Sequence, residues 1–90
     1  HQPLRCVDWD GPAEDLARHM ARFCPLPANR LGSRPGSLGS YAGADLGIPI
    51  ITLELRRDDT RRSTQDLWRT YGRGVLAAVT FPQEPPELDD

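Results

Sequence analysis

One carboxylate stands out in the sequence because it interrupts an otherwise apolar segment. Residues 48–55 read IPIITLEL, a β-branched run that predicts a strand, and Glu54 lies near its C-terminal end. A buried charge without a partner is costly. Two interpretations stay open: Glu54 pairs with Arg56 or another arginine, or it lies at the C-terminal edge of an α/β sheet and acts as general base and acid.

Histidine and cysteine give fewer candidates. His1 is either a metal ligand or a structural or exposed residue, and His19, in a predicted helix, is expected to be at the surface or partly packed. The spacing of Cys6 and Cys24 matches no zinc motif, and the predicted helix between them is too long for a disulfide. Both are therefore predicted to be free thiols, which favours a reducing compartment and a cytoplasmic location.

A loop rich in glycine and serine precedes the Glu54 strand. Residues 32–40 read GSRPGSLGS and lack the lysine and following hydroxyl residue of a phosphate-binding loop. The loop is either a plain connection or the lining of a pocket near Glu54.

Length and charge exclude several classes of protein. Ninety residues allow one small domain. A net charge of −2 and a pI of about 5.6 argue against a nucleic-acid partner. No apolar run approaches the roughly 20 residues of a membrane helix, so no membrane partner is expected. The sequence begins with His1 instead of methionine, which predicts a processed product or part of a longer protein.

The predicted elements follow the order strand, helix, loop, strand, helix. That order indicates an α/β fold with parallel strands joined by right-handed crossovers. Ser63 and Asp66 form a predicted capping box for the second helix. The expected ranges are a strand end at 1–7, a turn at 8–12 with Asp10 or Gly11 as cap, a helix at 13–24, a short helical turn at 41–46, a strand at 48–55, a charged loop at 56–62, a helix from 63 to before Pro82, and a disordered acidic tail at 83–90.

Three segments together resemble the C-terminal part of bacterial zinc carboxypeptidases, near the murein-peptide-amidase branch. They are HQPL followed by VD at 1–8, PGSLGSYAG at 35–43 and GIPIITLEL at 47–55. The resemblance covers residues 1–82 as a partial catalytic domain and implies the C-terminal portion of a three-layer α/β/α sandwich around a mixed, largely parallel sheet.

The resemblance also implies a set of functional residues. His1 matches the third ligand of a single Zn²⁺ ion, and Glu54 matches the catalytic glutamate. Ser37, Leu38 and Gly39 match the loop that shapes the pocket for the substrate's C-terminal side chain. The family's HxxE ligand pair occurs nowhere in the chain, so the two further ligands are expected upstream of it.

The function implied is a zinc-dependent metallopeptidase, a carboxypeptidase or amidase that cleaves a short peptide bond, with cell-wall peptides as the expected substrate class. Two alternatives are an N-acyl amino acid deacylase of the same superfamily and a non-catalytic remnant that serves as an interaction module. The chain alone is expected to be inactive. A central strand without its neighbours exposes apolar faces and edges, which favours self-association.

Overall fold

A computed structural model describes residues 5–32 and 35–88 and shows a small α/β domain. Cys6–Asp10 form strand β1, and Ile50–Glu54 form strand β2. Glu14–Ala21 form helix α1, Thr64–Thr80 form helix α2, and shorter π-helical and 3-10 segments cover Gly39–Asp45 and Arg57–Arg61. Within the described ranges, no helix is long and apolar enough to cross a membrane.

The two strands pair antiparallel, so the parallel pairing predicted for them is wrong. Cys6 lies opposite Glu54 and Asp10 lies opposite Ile50. After α1 the chain returns beside β1 in the same direction as β1, and Ala28 forms a parallel bridge with Val7. The chain then passes through the loop and the π-helical segment to the far end of the sheet, and β2 enters from there on the other side of β1.

Strand β1 begins and ends later than the sequence predicts. A turn was expected at Asp8–Asp10, but these residues are buried in the strand. The Val7 N–H donates to the Pro27 carbonyl at 2.8 Å, and the Val7 carbonyl accepts from the Asn29 N–H at 3.1 Å. Backbone partners on both sides make β1 the central strand, which explains why even its aspartates are buried.

The core lies on one face of the sheet. Val7 and Trp9 of β1 share this face with Ile51 and Leu53 of β2, because directly opposed residues point the same way. Helices α1 and α2 cover the face and pack against each other. Their buried core residues are two alanines, a methionine and a tyrosine: Ala17, Met20, Tyr71 and Ala77.

The helix termini follow the sequence in part. Ser63 is the N-cap of α2, and its hydroxyl accepts from the Asp66 N–H at 3.0 Å, so the Ser63 half of the predicted capping box is formed, while the Asp66 carboxylate accepts from Arg62 instead. Helix α1 begins after Ala13 with no side-chain cap, so the cap predicted at Asp10 or Gly11 is wrong. Asp10 is instead held in β1, which removes it from the helix terminus.

The acidic segment after α2, which composition predicts to be disordered, has defined contacts as far as Leu88. Arg73 donates to the carbonyls of Pro85 and Pro86, both at 3.2 Å, and forms an ion pair with Glu87 at 3.5 Å. The buried His19 ring bonds through Nε2 to the Gln83 carbonyl at 3.0 Å. The segment from 83 to 88 thus lies against both helices.

Candidate functional site

Glu54 is the last residue of β2 and lies at the edge of the sheet where β1 begins. Its side chain is half-buried, on the face of the sheet that α1 and α2 do not cover. Among residues 5–32 and 35–88 it forms no ion pair. Within these residues, the predicted pair of Glu54 with Arg56 or another arginine is therefore not formed.

The Cys6 thiol lies directly across from Glu54 and is fully buried. Burial raises the pKa of Cys6, and the negative charges of Asp8 and Glu54 raise that pKa further. Cys6 and Cys24 are both free, as the sequence predicts. A thiol kept protonated in this way is a poor nucleophile and a poor metal ligand, so Cys6 serves as a small buried side chain.

A polar network holds the backbone that follows Glu54. The buried Asp59 carboxylate accepts from the Arg56 N–H at 3.1 Å, from Arg62 Nη1 at 3.1 Å and from the Tyr71 hydroxyl at 3.2 Å. Arg5, just before β1, donates to the Tyr71 oxygen at 3.1 Å. The network therefore joins the start of β1, the end of β2 and helix α2 at the Glu54 edge.

Asp59 and its partners are stabilised as charged groups. Burial raises the pKa of Asp59, but hydrogen bonds from Arg62, the Arg56 backbone and Tyr71 outweigh it and leave that pKa below its usual range. Arg62 also donates to Asp66 Oδ2 at 2.5 Å, which lowers the pKa of Asp66 and raises that of Arg62. Sequence reasoning missed this network, because a run reading RRDDTRR looks like a solvated loop and only the spacing of Asp59 and Arg62 hints at a pair.

The loop matched to the substrate pocket lies at the opposite end of the sheet. Gly39 packs so closely on the Asp10 carboxylate that a Cβ atom there would overlap it. Asp10 and Glu54 lie at the two ends of the β1–β2 ladder, four residues or about 13 Å apart at 3.3 Å per residue. The structure therefore does not bring this loop next to Glu54.

Ser37 and Leu38 have separate local roles. The Ser37 hydroxyl accepts from the Ser40 N–H at 3.2 Å, and its carbonyl accepts from the Tyr41 N–H at 2.9 Å, so Ser37 holds the backbone just before the π-helical segment. The Leu38 side chain is 70% exposed. Leu38 lines neither the apolar groove between β2 and α2 nor the more polar pocket around Trp9 and Arg30.

The described residues include only part of the expected zinc site. His1 lies outside the described residues. Across 5–32 and 35–88, no group of three or more histidine, cysteine, aspartate or glutamate side chains is arranged to hold a metal ion. This part of the chain therefore does not supply a zinc ligand set by itself, and His19, whose Nε2 bonds to Gln83, is committed to packing.

Residues 5–32 and 35–88 thus form a small α/β domain in which Glu54, at one end of the β1–β2 ladder, and Asp8 and Asp10, further along β1, form no ion pair. Comparisons with protein-family models, with curated proteins and with solved structures find no match to the chain.

Proposed function

We propose that this chain is the C-terminal part of a zinc-dependent metallopeptidase, in which Glu54 transfers protons during hydrolysis of a short peptide bond. The observation that supports this best is the position of Glu54, a half-buried carboxylate without an ion pair in the described chain, at the end of a strand.

In this proposal Glu54 accepts a proton from the attacking water and passes it to the leaving amine. A zinc ion, when bound, polarises the scissile carbonyl and acidifies the water. His1 is the proposed ligand from this chain, with two further ligands from outside it. Antiparallel pairing puts the N-terminal end of β1, five positions after His1 in sequence, beside Glu54.

The proposed substrate is a peptide of the cell-wall type, and Ser37, Leu38 and Gly39 are the proposed contacts for its C-terminal side chain. The loop is attached to the same sheet as Glu54 but about 13 Å along it. A substrate that reaches both must therefore extend along the sheet. The three-layer sandwich with a mixed sheet stays part of the proposal, and the parallel bridge at Ala28 beside the β1–β2 pair is compatible with a mixed sheet.

Two measurements test the proposal. The isolated chain should bind Zn²⁺ weakly in calorimetry, because His1 alone supplies too few ligands, and tight stoichiometric binding would contradict this. In the longer protein, Glu54→Gln should lower peptidase activity by about 10²-fold or more, as loss of a general base does. Glu87→Gln, at an exposed acidic residue, is the matched control.

The choice of substrate separates the alternatives. Activity of the longer protein on a muropeptide supports the proposal. Activity on an N-acyl amino acid alone would assign the deacylase function instead. A longer protein without hydrolytic activity and without bound zinc would assign the non-catalytic remnant.

A further inference from the structure

The outer edge of β2 presents unpaired backbone groups. Val7 uses its N–H and carbonyl on the side of β1 away from β2, where they bond to Pro27 and Asn29. The Val7–Leu53 pair is therefore one of the pairs without mutual hydrogen bonds, and the Leu53 N–H and carbonyl point to the outer edge. The same alternation applies to Ile51. In the part of the chain that the structure describes, no segment pairs with this edge.

An apolar groove runs beside this edge. Its volume is about 270 Å³, and it lies between β2 and α2. Leu53 and Leu55 form one wall, Leu67 and Tyr71 lie on the α2 side, and Trp68 and Val75 are 46% and 41% exposed at the rim. Exposed backbone groups beside an apolar groove fit an extended strand that carries an apolar residue at every second position.

We propose that, in the 90-residue chain by itself, a second copy of β2 occupies this edge, so that the chain forms a two-fold symmetric dimer with a continuous four-stranded antiparallel sheet. In the register centred on Leu53, each outward Leu53 pairs with its counterpart, and Ile51 pairs with Leu55 of the second copy. This register uses the outward groups, since residues of odd number face the edge.

The charges along β2 favour this register. It places Glu54 opposite Thr52 of the second copy and Arg56 opposite Ile50, so no like charges meet directly. A register shifted by one pair and centred on Glu54 would set two carboxylates against each other. Pro49, which lacks an N–H, limits the pairing to the short segment around Leu53.

The symmetry also explains why the pairing stops at two copies. An axis perpendicular to the sheet keeps the α2 face of both copies on the same side, so the two grooves adjoin across the axis. Because β1 is already flanked by β2 and residues 27–29, β2 has the free edge next to the groove. An interface that uses the same edge of both copies closes on itself and does not propagate.

Sedimentation velocity over a concentration series tests the dimer. We expect a reversible shift from a 10.0 kDa species to one of twice that mass. Trp68→Glu at the groove rim should weaken the dimer and raise its dissociation constant by about tenfold or more. Val79→Glu, on the same helix but 80% exposed and outside the groove, should leave it unchanged.

A second pair of variants tests the strand edge itself. Ile51→Pro removes an N–H that faces the outer edge, so it should abolish the dimer while circular dichroism shows a folded monomer. Thr52→Pro removes an N–H of the β1–β2 ladder and should instead destabilise the fold. A monomer at all concentrations, larger open-ended assemblies, or a dimer that Ile51→Pro and Trp68→Glu leave intact would overturn the proposal. None of these outcomes depends on zinc or peptidase activity.

Discussion

Two carboxylates near the end of β2 have opposite environments. Glu54 is half-buried and forms no ion pair in the described chain, whereas Asp59 is buried and accepts from Arg62, Tyr71 and the Arg56 backbone. The first carboxylate has no partner among the described residues that would fix its position, and the second belongs to a hydrogen-bonded network that keeps it charged and holds the backbone in place. The candidate catalytic carboxylate, Glu54, and the structural carboxylate, Asp59, are thus five positions apart in the sequence.

The loss of folding stability at acid pH should depend on Asp59. The pKa of Asp59 is lower in the folded chain than in the unfolded one, so the folded state gains stability above the unfolded pKa, near 3.9, and loses it as the pH falls through the folded pKa. Asp59→Asn should cost about 2 kcal/mol at pH 7 and progressively less as the pH falls below the unfolded pKa, because it removes the charged acceptor that Arg62 and Tyr71 share. Thermal unfolding followed by circular dichroism from pH 7 to pH 2 measures both.

Glu54→Gln is the matched control for that experiment. It removes a carboxylate of similar position without hydrogen bonds to lose, so the melting temperature at pH 7 should change little. Equal losses for Asp59→Asn and Glu54→Gln at pH 7 would contradict the different roles assigned to the two residues.

At the scale of elements, sequence patterns that act locally predict the structure best. Helix α2 begins at Ser63 as predicted because its cap depends on residues three apart, and β2 lies within the predicted strand. The direction of strand pairing depended on where the chain returned after α1, which no local pattern encodes. Glu54 was likewise visible as a charge in an apolar run, whereas the Asp59 network needed Arg5 and Tyr71 from distant segments.

Two glycines in α2 show how packing overrides helix propensity. The sequence predicts that Gly72 and Gly74 each cost about 1 kcal/mol relative to alanine and are tolerated where the helix packs closely. A Cβ atom at Gly74 would lie 2.6 Å from the Cys24 sulfur and 2.8 Å from its Cβ, beyond the end of α1. At Gly72 it would meet the Trp68 ring of the same helix at 2.8 Å. The close contact of Gly74 is therefore with Cys24, just after α1, and neither glycine is in close contact with the sheet.

Gly74→Ala should consequently destabilise the chain by about 1 kcal/mol or more, since overpacking against Cys24 exceeds the propensity gain. Gly72→Ala should be neutral or stabilising, because the Trp68 side chain is 46% exposed and has room to move. Urea unfolding of both variants measures the difference. In a Cys24→Gly background, which lacks both the sulfur and the Cβ, Gly74→Ala should no longer destabilise the chain, and a cost that persists there would show that the contact is not the cause.

At the scale of the whole molecule, the segment after α2 joins the two helices from outside. Besides the Arg73 and His19 contacts, Glu84 forms an ion pair with Arg22 at 3.9 Å, and Pro85 is buried. The Arg73 guanidinium also lies over the Phe23 ring at 5.1 Å, so one side chain contacts both the segment and the region that follows α1. In a chain of 90 residues with a thin core, such a segment provides packing that the sheet alone does not.

Removing residues 83–90 should therefore lower the melting temperature. The deletion takes away the carbonyl partners of Arg73 and His19 and exposes the apolar surface under Pro85, a loss of about 1–2 kcal/mol, which corresponds to roughly 4–15 °C in a domain of this size. Differential scanning calorimetry measures the shift, and removal of residues 89–90 alone is the control, expected to have no effect. Arg73→Gln in the full chain should reproduce about half of the loss, because it breaks the bonds to Pro85 and Pro86 and leaves the His19 contact in place. If the deletion leaves the melting temperature unchanged, the segment does not stabilise the packing of α1 against α2.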